Sequence, residues 1–261
     1  MRYISILLSC VLLSACEKKL DTQTKVLGHA ASGLKIPNAI YHDNSLEAIN
    51  YSLSLSGCQG VEVDVRMDAN GKLWLYHDEF LQNETNASGC IEASSTQDLN
   101  EVHYQSFHKE SLLQLSNQVI EKWTGTIFLD IKSWNACNET IIEPAAFRSS
   151  LLALGLDTSK VYLLVNSKMY FDALKNDFQV FLSLPTFAAL SIISIENEPR
   201  LRGVSFRNKE ISREQINFLK SIHKEIIVYE VRAVHSIKQT LLKEPTYLFS
   251  DDLKATLGLI N

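Results

Sequence analysis

Short runs rich in β-branched and aromatic residues recur along the chain, and longer amphipathic stretches separate them. The runs cover residues 26–29, 60–65, 72–77, 126–131, 160–165, 179–184, 202–206, 225–229 and 246–250. Each has the length and chemistry of a strand. Between them, 45–55 places Leu46, Ile49 and Leu53 at helical spacing behind a capping Ser45. Residues 111–122, 146–154, 168–176, 213–223 and 234–242 are predicted helices as well. Strand alternating with helix predicts βαβ units and a parallel sheet. With 72–77 read as a hairpin partner of the preceding strand, eight units are left. That is the arithmetic of a (β/α)8 TIM barrel, one α/β domain with a small insertion after its second strand. An open doubly wound sheet is the competing arrangement. Its glycine-rich phosphate loop is missing, because Gly28-His-Ala-Ala-Ser-Gly33 matches neither G-x-G-x-x-G nor a P-loop.

Composition narrows the class. The 261 residues are 46% hydrophobic and 21% charged, with a formal charge of −5, which excludes a disordered tail or a membrane bundle. A mildly acidic chain has no general attraction to nucleic acid, so a phosphate ligand must be held by local positive charge or a metal. Residues 1–16 read as a targeting leader: Arg2, an apolar run from Tyr3 to Leu13, then Leu13-Ser14-Ala15-Cys16. The run is too short to span a bilayer, for which about 20 apolar residues are needed. Its end resembles the lipobox of bacterial lipoproteins, in which the cysteine is acylated. That implies lipidation at Cys16, a polar tether over 17–24 and a barrel over 25–261. It also implies a protein held by its lipid in the cell envelope, on the periplasmic face of the outer membrane. Cys58, Cys90 and Cys137 are then left in an oxidising compartment.

In such a barrel, polar residues at the C-terminal ends of strands face the active site. The strand ends offer His29, Glu62 with Asp64, His77-Asp78, Asp130 with Lys132, Asn166, Arg207, Glu230 and Asp251-Asp252. Glu62 and Asp64 lie two apart, so both leave one face of their strand while Val61, Val63 and Val65 leave the other. Two inward carboxylates repel each other and are costly to desolvate, a cost that a hard cation removes. The alternative turns the valines inward and the acids to water. Two histidines at strand ends suit acid–base chemistry: one imidazole takes a proton from an attacking hydroxyl and the other gives one to the leaving oxygen.

From Gly28 to Asp78 the chain resembles the glycerophosphodiester phosphodiesterase family. The motifs are His29-Ala-Ala, Asp43-Asn44-Ser45-Leu46-Glu47-Ala48, Gly60-Val-Glu62-Val-Asp64-Val, Asp68-Ala-Asn-Gly71 and His77-Asp78, followed by Leu129-Asp130-Ile131-Lys132 and Phe249-Ser250-Asp251. The resemblance implies a (β/α)8 barrel that hydrolyses glycerophosphodiesters to glycerol 3-phosphate and an alcohol. His29 and His77 would be the catalytic pair, and Glu62, Asp64 and Asp130 the ligands of one Ca²⁺ or Mg²⁺. Lys132 and Asn44 would contact substrate. The chain departs from the pattern at Ala30, where the family carries a phosphate-binding arginine, and at Asp43 and Asp130, each a glutamate shortened by a methylene. Tyr229 stands where the family often has tryptophan. On a barrel, Cys90 and Cys137 both fall on the catalytic face, as a disulfide or as two free thiols, and Cys58 is the odd one out. Two other functions compete: a phospholipase C- or D-like lyase on the same barrel, which would want an exposed apolar lip, and a catalytically silent binding lipoprotein.

Overall fold

Eight parallel strands close on themselves in the computed structural model, which describes residues 19–36, 39–192 and 195–260. The leader and Cys16 lie outside the described residues. The strands in chain order are β1 (Lys25–Gly28), β2 (Gly60–Met67), β3 (Leu73–Leu75), β4 (Leu113–Gln114), β5 (Thr126–Ile131), β6 (Trp134–Asn135), β7 (Thr140–Ile141), β8 (Val161–Val165), β9 (Val180–Ser183), β10 (Leu201–Arg207), β11 (Glu225–Tyr229) and β12 (Tyr247–Ser250). The barrel runs β1-β2-β5-β8-β9-β10-β11-β12 and returns to β1. It closes where Leu27 of β1 pairs with Phe249 of β12 and Gly28 pairs with Val61 of β2. The expected TIM barrel is the observed fold.

Alternation along each strand sorts the side chains into two shells. Val61, Val63 and Val65, with Ile127, Leu129 and Ile131, face outward into the main apolar shell beneath the helices. Inside sit Leu27, Phe128, Tyr162, Leu164, Phe181, Ile227, Tyr247 and Phe249. The Phe128 ring is the hub, its centre 5.0–5.1 Å from those of Tyr162, Phe181, Tyr247 and Phe249. Such aromatic pairs are worth about 0.5–1.5 kcal/mol each beyond their burial. Gly203 leaves room for this plug, since a Cβ there would lie 2.5 Å from the Phe181 ring. The plug fills the lower barrel, so the next inward residues, one step up each strand, reach the C-terminal mouth. The valines-inward alternative is therefore excluded.

The covering helices are α1 (Leu46–Ser54), α2 (Thr96–Leu99), α3 (Asn117–Ile120), α4 (Pro144–Ala153), α5 (Lys168–Leu174), α6 (Arg213–Ser221), α7 (Val234–Lys243) and α8 (Leu253–Leu259). The long helix expected over 111–122 is not formed. Leu113–Gln114 pairs instead with the edge of β3, and only the single turn of α3 follows. Between β9 and β10 the connection is made by 3₁₀ turns at Phe187–Ile192 and Ile195–Asn197.

The insertion occupies residues 68–125. β2 outruns the barrel, and β3 pairs antiparallel with its overhang, as the hairpin reading expected. Trp74, Tyr76, Leu81, Ile91, Leu99, Val102, Tyr104 and Leu112 form a separate small core there. A disulfide between Cys90 and Cys137, with Cα atoms 5.9 Å apart, ties this lobe to the β6–β7 hairpin, while Cys58 is free.

Candidate functional site

The loop after β1 is built around a left-handed turn, with φ of 43° at Ala30 and 75° at Ala31. Non-glycine residues there cost about 1–2 kcal/mol each. The turn is held by hydrogen bonds: Ala30 N donates to Glu62 Oε2 at 2.8 Å, Ala31 N to Glu62 O at 2.7 Å, and Asn44 N to Ala30 O at 3.0 Å. Gly28 permits it, because a Cβ at that position would sit 1.6 Å from Ala31 O. The turn aims His29 across the mouth. Its Nδ1 lies 2.7 Å from Asp251 Oδ1, which assigns the proton to Nδ1 and leaves Nε2 facing the cavity, 3.8 Å from Glu62 Oε2. Burial opposes a charge on His29, but the Asp251 hydrogen bond and the charges of Glu62, Asp251 and Asp64 outweigh it, raising the pKa to about 9.

His77 follows β3 and has its own orienting carboxylate, with Nδ1 2.8 Å from Asp78 Oδ1. Asp78 is fixed by Lys35 Nζ at 2.7 Å and by Asn83 Nδ2 at 3.1 Å. Asp78 is held below the usual carboxylate range: burial raises it, and the hydrogen bonds from Lys35, His77 and Asn83 more than reverse that. Arg66 supports the main chain, donating from Nη2 to His77 O at 2.9 Å while Nη1 pairs with Glu92 at 2.6 Å.

Glu62, Asp64 and Asp130 bring their ligand oxygens within 4.8 Å of one another. Lys132 Nζ sits 2.7 Å from Asp64 Oδ1 and 2.6 Å from Asp130 Oδ2. Burial raises Asp64, but Lys132, His77 and Asn44 hold it below the carboxylate range. Glu62 is left with the repulsion. Burial first, then Asp64 and Asp130, push its pKa to about 8 against His29 and the Ala30 N–H. The repulsion that raises Glu62 is what a cation between the three carboxylates would relieve, and their all-oxygen donor set fits a hard divalent ion. His42, Asp43 and Glu84 also cluster, with Lys35 Nζ 3.7 Å from Glu84 as local countercharge.

His29, Glu62, Asp64, His77, Asp130 and Lys132 all line one cavity of about 690 Å³ at the mouth of the barrel. Asn166, Arg207, Glu230 and Asp251 of the remaining strand ends line it as well. Asp252 does not: it caps α8, accepting from Ala255 N at 3.0 Å. Asn44, expected to touch substrate, is fully buried behind Asp64. Its Nδ2 donates to Asp64 Oδ2 and its Oδ1 accepts from Asp64 N, both at 2.8 Å. It braces a candidate ligand from behind and does not itself line the cavity. Sequence reasoning did not single out Arg232, Lys35 or Arg66, whose partners lie on distant loops.

The family model described as the glycerophosphoryl diester phosphodiesterase family matches residues 29–247. No curated protein matches significantly. Solved structures of similar fold include a glycerophosphodiester phosphodiesterase from Agrobacterium tumefaciens str. C58, with 17% identity and a TM-score of 0.69, covering 90% of this chain and 99% of that one. A phosphodiesterase from Oleispira antarctica in complex with the product sn-glycerol-3-phosphate has 16% identity and a TM-score of 0.72, covering 90% and 96%. A glycerophosphodiester phosphodiesterase from Parabacteroides distasonis ATCC 8503 has 16% identity and a TM-score of 0.68, covering 91% and 97%.

Proposed function

The chain belongs to the glycerophosphoryl diester phosphodiesterase family, and we propose that it cleaves glycerophosphodiesters to glycerol 3-phosphate and an alcohol with His29 and His77 as its acid–base pair. The observation that carries this reading is the pairing of each imidazole with its own carboxylate, His29 with Asp251 and His77 with Asp78, at the edge of one cavity.

His29, surrounded by Asp251, Glu62 and Asp64, is the imidazolium and the general acid. It passes the Nε2 proton to the departing alkoxide as the ester P–O bond breaks. His77, oriented through Nδ1, accepts the proton of the attacking hydroxyl as the new P–O bond forms. That hydroxyl belongs to water or to the adjacent glycerol carbon, in which case a cyclic phosphate is then hydrolysed. Glu62, Asp64 and Asp130 would hold one Ca²⁺ or Mg²⁺, and such an ion, when bound, polarises the phosphoryl oxygens and offsets their charge. Lys132 helps hold Asp64 ionised, pairs with Asp130, and adds a fixed positive charge to the cavity wall.

The test is glycerol 3-phosphate release from glycerophosphocholine with Ca²⁺ or Mg²⁺. Wild type should turn over, His29→Ala should lose at least about a hundredfold, and Glu62→Gln should lose metal affinity and activity together. Full activity in EDTA, or equal inertness of wild type and His29→Ala on every glycerophosphodiester, sinks the reading. Cyclic phosphate accumulating as the final product would place the chemistry with the lyases instead. We also propose that Cys16 carries lipid and holds the enzyme at the periplasmic face of the outer membrane, a reading supported by the leader sequence.

A further inference from the structure

We infer that Arg232 is the side chain that binds the non-bridging oxygens of the phosphodiester, an inference that rests on the function proposed above. An anionic phosphodiester must enter a cavity walled by Glu62, Asp64, Asp130, Glu230 and Asp251. Three fixed cations line the same cavity, Lys132, Arg207 and Arg232, and their surroundings separate them.

Lys132 commits two of its three hydrogens to Asp130 and Asp64, at 2.6 and 2.7 Å, and its charge is matched by two carboxylates. Arg207, half-exposed as Arg232 is, pairs through Nε with Glu230 at 3.0 Å, so its charge has a carboxylate of its own. Arg232 is different. Its nearest acid is Asp251, whose Oδ1 is already taken by His29 Nδ1 at 2.7 Å and Leu34 N at 3.3 Å. Arg232 reaches only Oδ2, from Nε, at 3.4 Å. Its second hydrogen bond, Nη2 to Leu34 O at 3.0 Å, fixes the guanidinium plane without neutralising it. A guanidinium has five N–H donors, and a planar fork of two matches a phosphoryl group. Arg232 thus combines a set orientation, a weakly compensated charge and a place beside the general acid. Ala30, next to His29 in sequence, has a buried methyl and supplies no donor.

The backbone explains how a residue outside the strand alternation reaches the mouth. β11 ends at Tyr229, and Glu230 turns the chain with φ of 60°. Val231 is buried and its carbonyl accepts from Asp251 N at 3.3 Å. The turn is thereby clipped to the end of β12, and Arg232 is returned over the cavity.

Kinetics with glycerophosphocholine and calorimetry with inorganic phosphate, on the metal-loaded protein, test this. Arg232→Ala should raise KM and the phosphate Kd together by about ten- to a hundredfold while kcat falls far less. Arg232→Lys, keeping charge without the fork, should fall between, and Arg207→Ala should change either constant by less than about threefold. Phosphate affinity within about twofold of wild type in Arg232→Ala overturns the inference, as does a larger loss in Arg207→Ala. Unchanged phosphate affinity with only a displaced pH profile of kcat/KM also overturns it, because Arg232 would then act solely through Asp251 and His29. If wild type turns over no glycerophosphodiester yet binds phosphate through Arg232, the proposed function fails while the assignment of Arg232 as the phosphoryl-binding side chain holds.

Discussion

Replacing Cys90 and Cys137 together by serine should weaken the fold substantially. The cystine joins positions 47 apart, and closing a loop of that length in the unfolded chain is worth about 4 kcal/mol on the chain-entropy model. For a protein of this size each kcal/mol moves Tm by roughly 2–4 °C, so a loss of roughly 8–16 °C follows. The loss should not be confined to stability. Glu92, two residues past Cys90, holds Arg66, and Arg66 bridges His77 O at 2.9 Å and Trp134 O at 3.4 Å. The cystine and this guanidinium therefore fasten the same two segments, and kcat should drop along with Tm. Thermal unfolding of wild type and double variant without reductant, followed by kinetics well below both midpoints, reads the two effects. A midpoint within about 2 °C of wild type would refute the reasoning, because the lobe would then be held by its own small core alone.

Other perturbations separate the parts of the site. His29 has a folded-state pKa of about 9 against 6.5 unfolded, so its charge stabilises the fold fully below 6.5 and ceases to as pH rises through 9. In EDTA, wild type should exceed Asp251→Asn by up to about 3 kcal/mol near neutral or mildly acid pH, the gap narrowing by about pH 10; a gap that widens with pH contradicts the assignment. Asn44→Ala should weaken divalent-cation binding, seen by calorimetry, by about 1–2 kcal/mol with KM nearly unchanged, and a selective rise in KM would return Asn44 to the substrate. Cys16→Ser should abolish incorporation of labelled fatty acid in cells, and labelling that persists would remove the anchor.

The barrel was legible because its signal is periodic. Alternation in Gly60-Val-Glu-Val-Asp-Val puts both acids on one face whatever the rest of the chain does, and the aromatic plug of Phe128, Tyr162, Phe181, Tyr247 and Phe249 decides which face is inside. His29 and His77 were legible for the same reason, as strand-end residues. What depends on loops was not. The 111–122 segment has helical spacing, yet pairing with β3 prevails over it. Asn44 sits where a substrate contact was expected, but the left-handed turn at Ala30 and Ala31 packs it beneath Asp64. Arg232 stands outside any strand period because Glu230 reverses the chain. The choice of Cys90 with Cys137 needed the distance between two lobes, which spacing along the chain does not encode.

The place where the chain enters has a consequence for access. Leu20 bridges Ile260, and β1 rises from there to His29, so the amino-terminal entry and the catalytic mouth lie at opposite poles. From position 16 to Leu20 the backbone can stretch at most about 14 Å. A copy fastened at position 16 would stand on its floor with its opening turned toward the aqueous space. It would meet dissolved head-group esters arriving by diffusion, and molecules still embedded in its own leaflet would be out of reach.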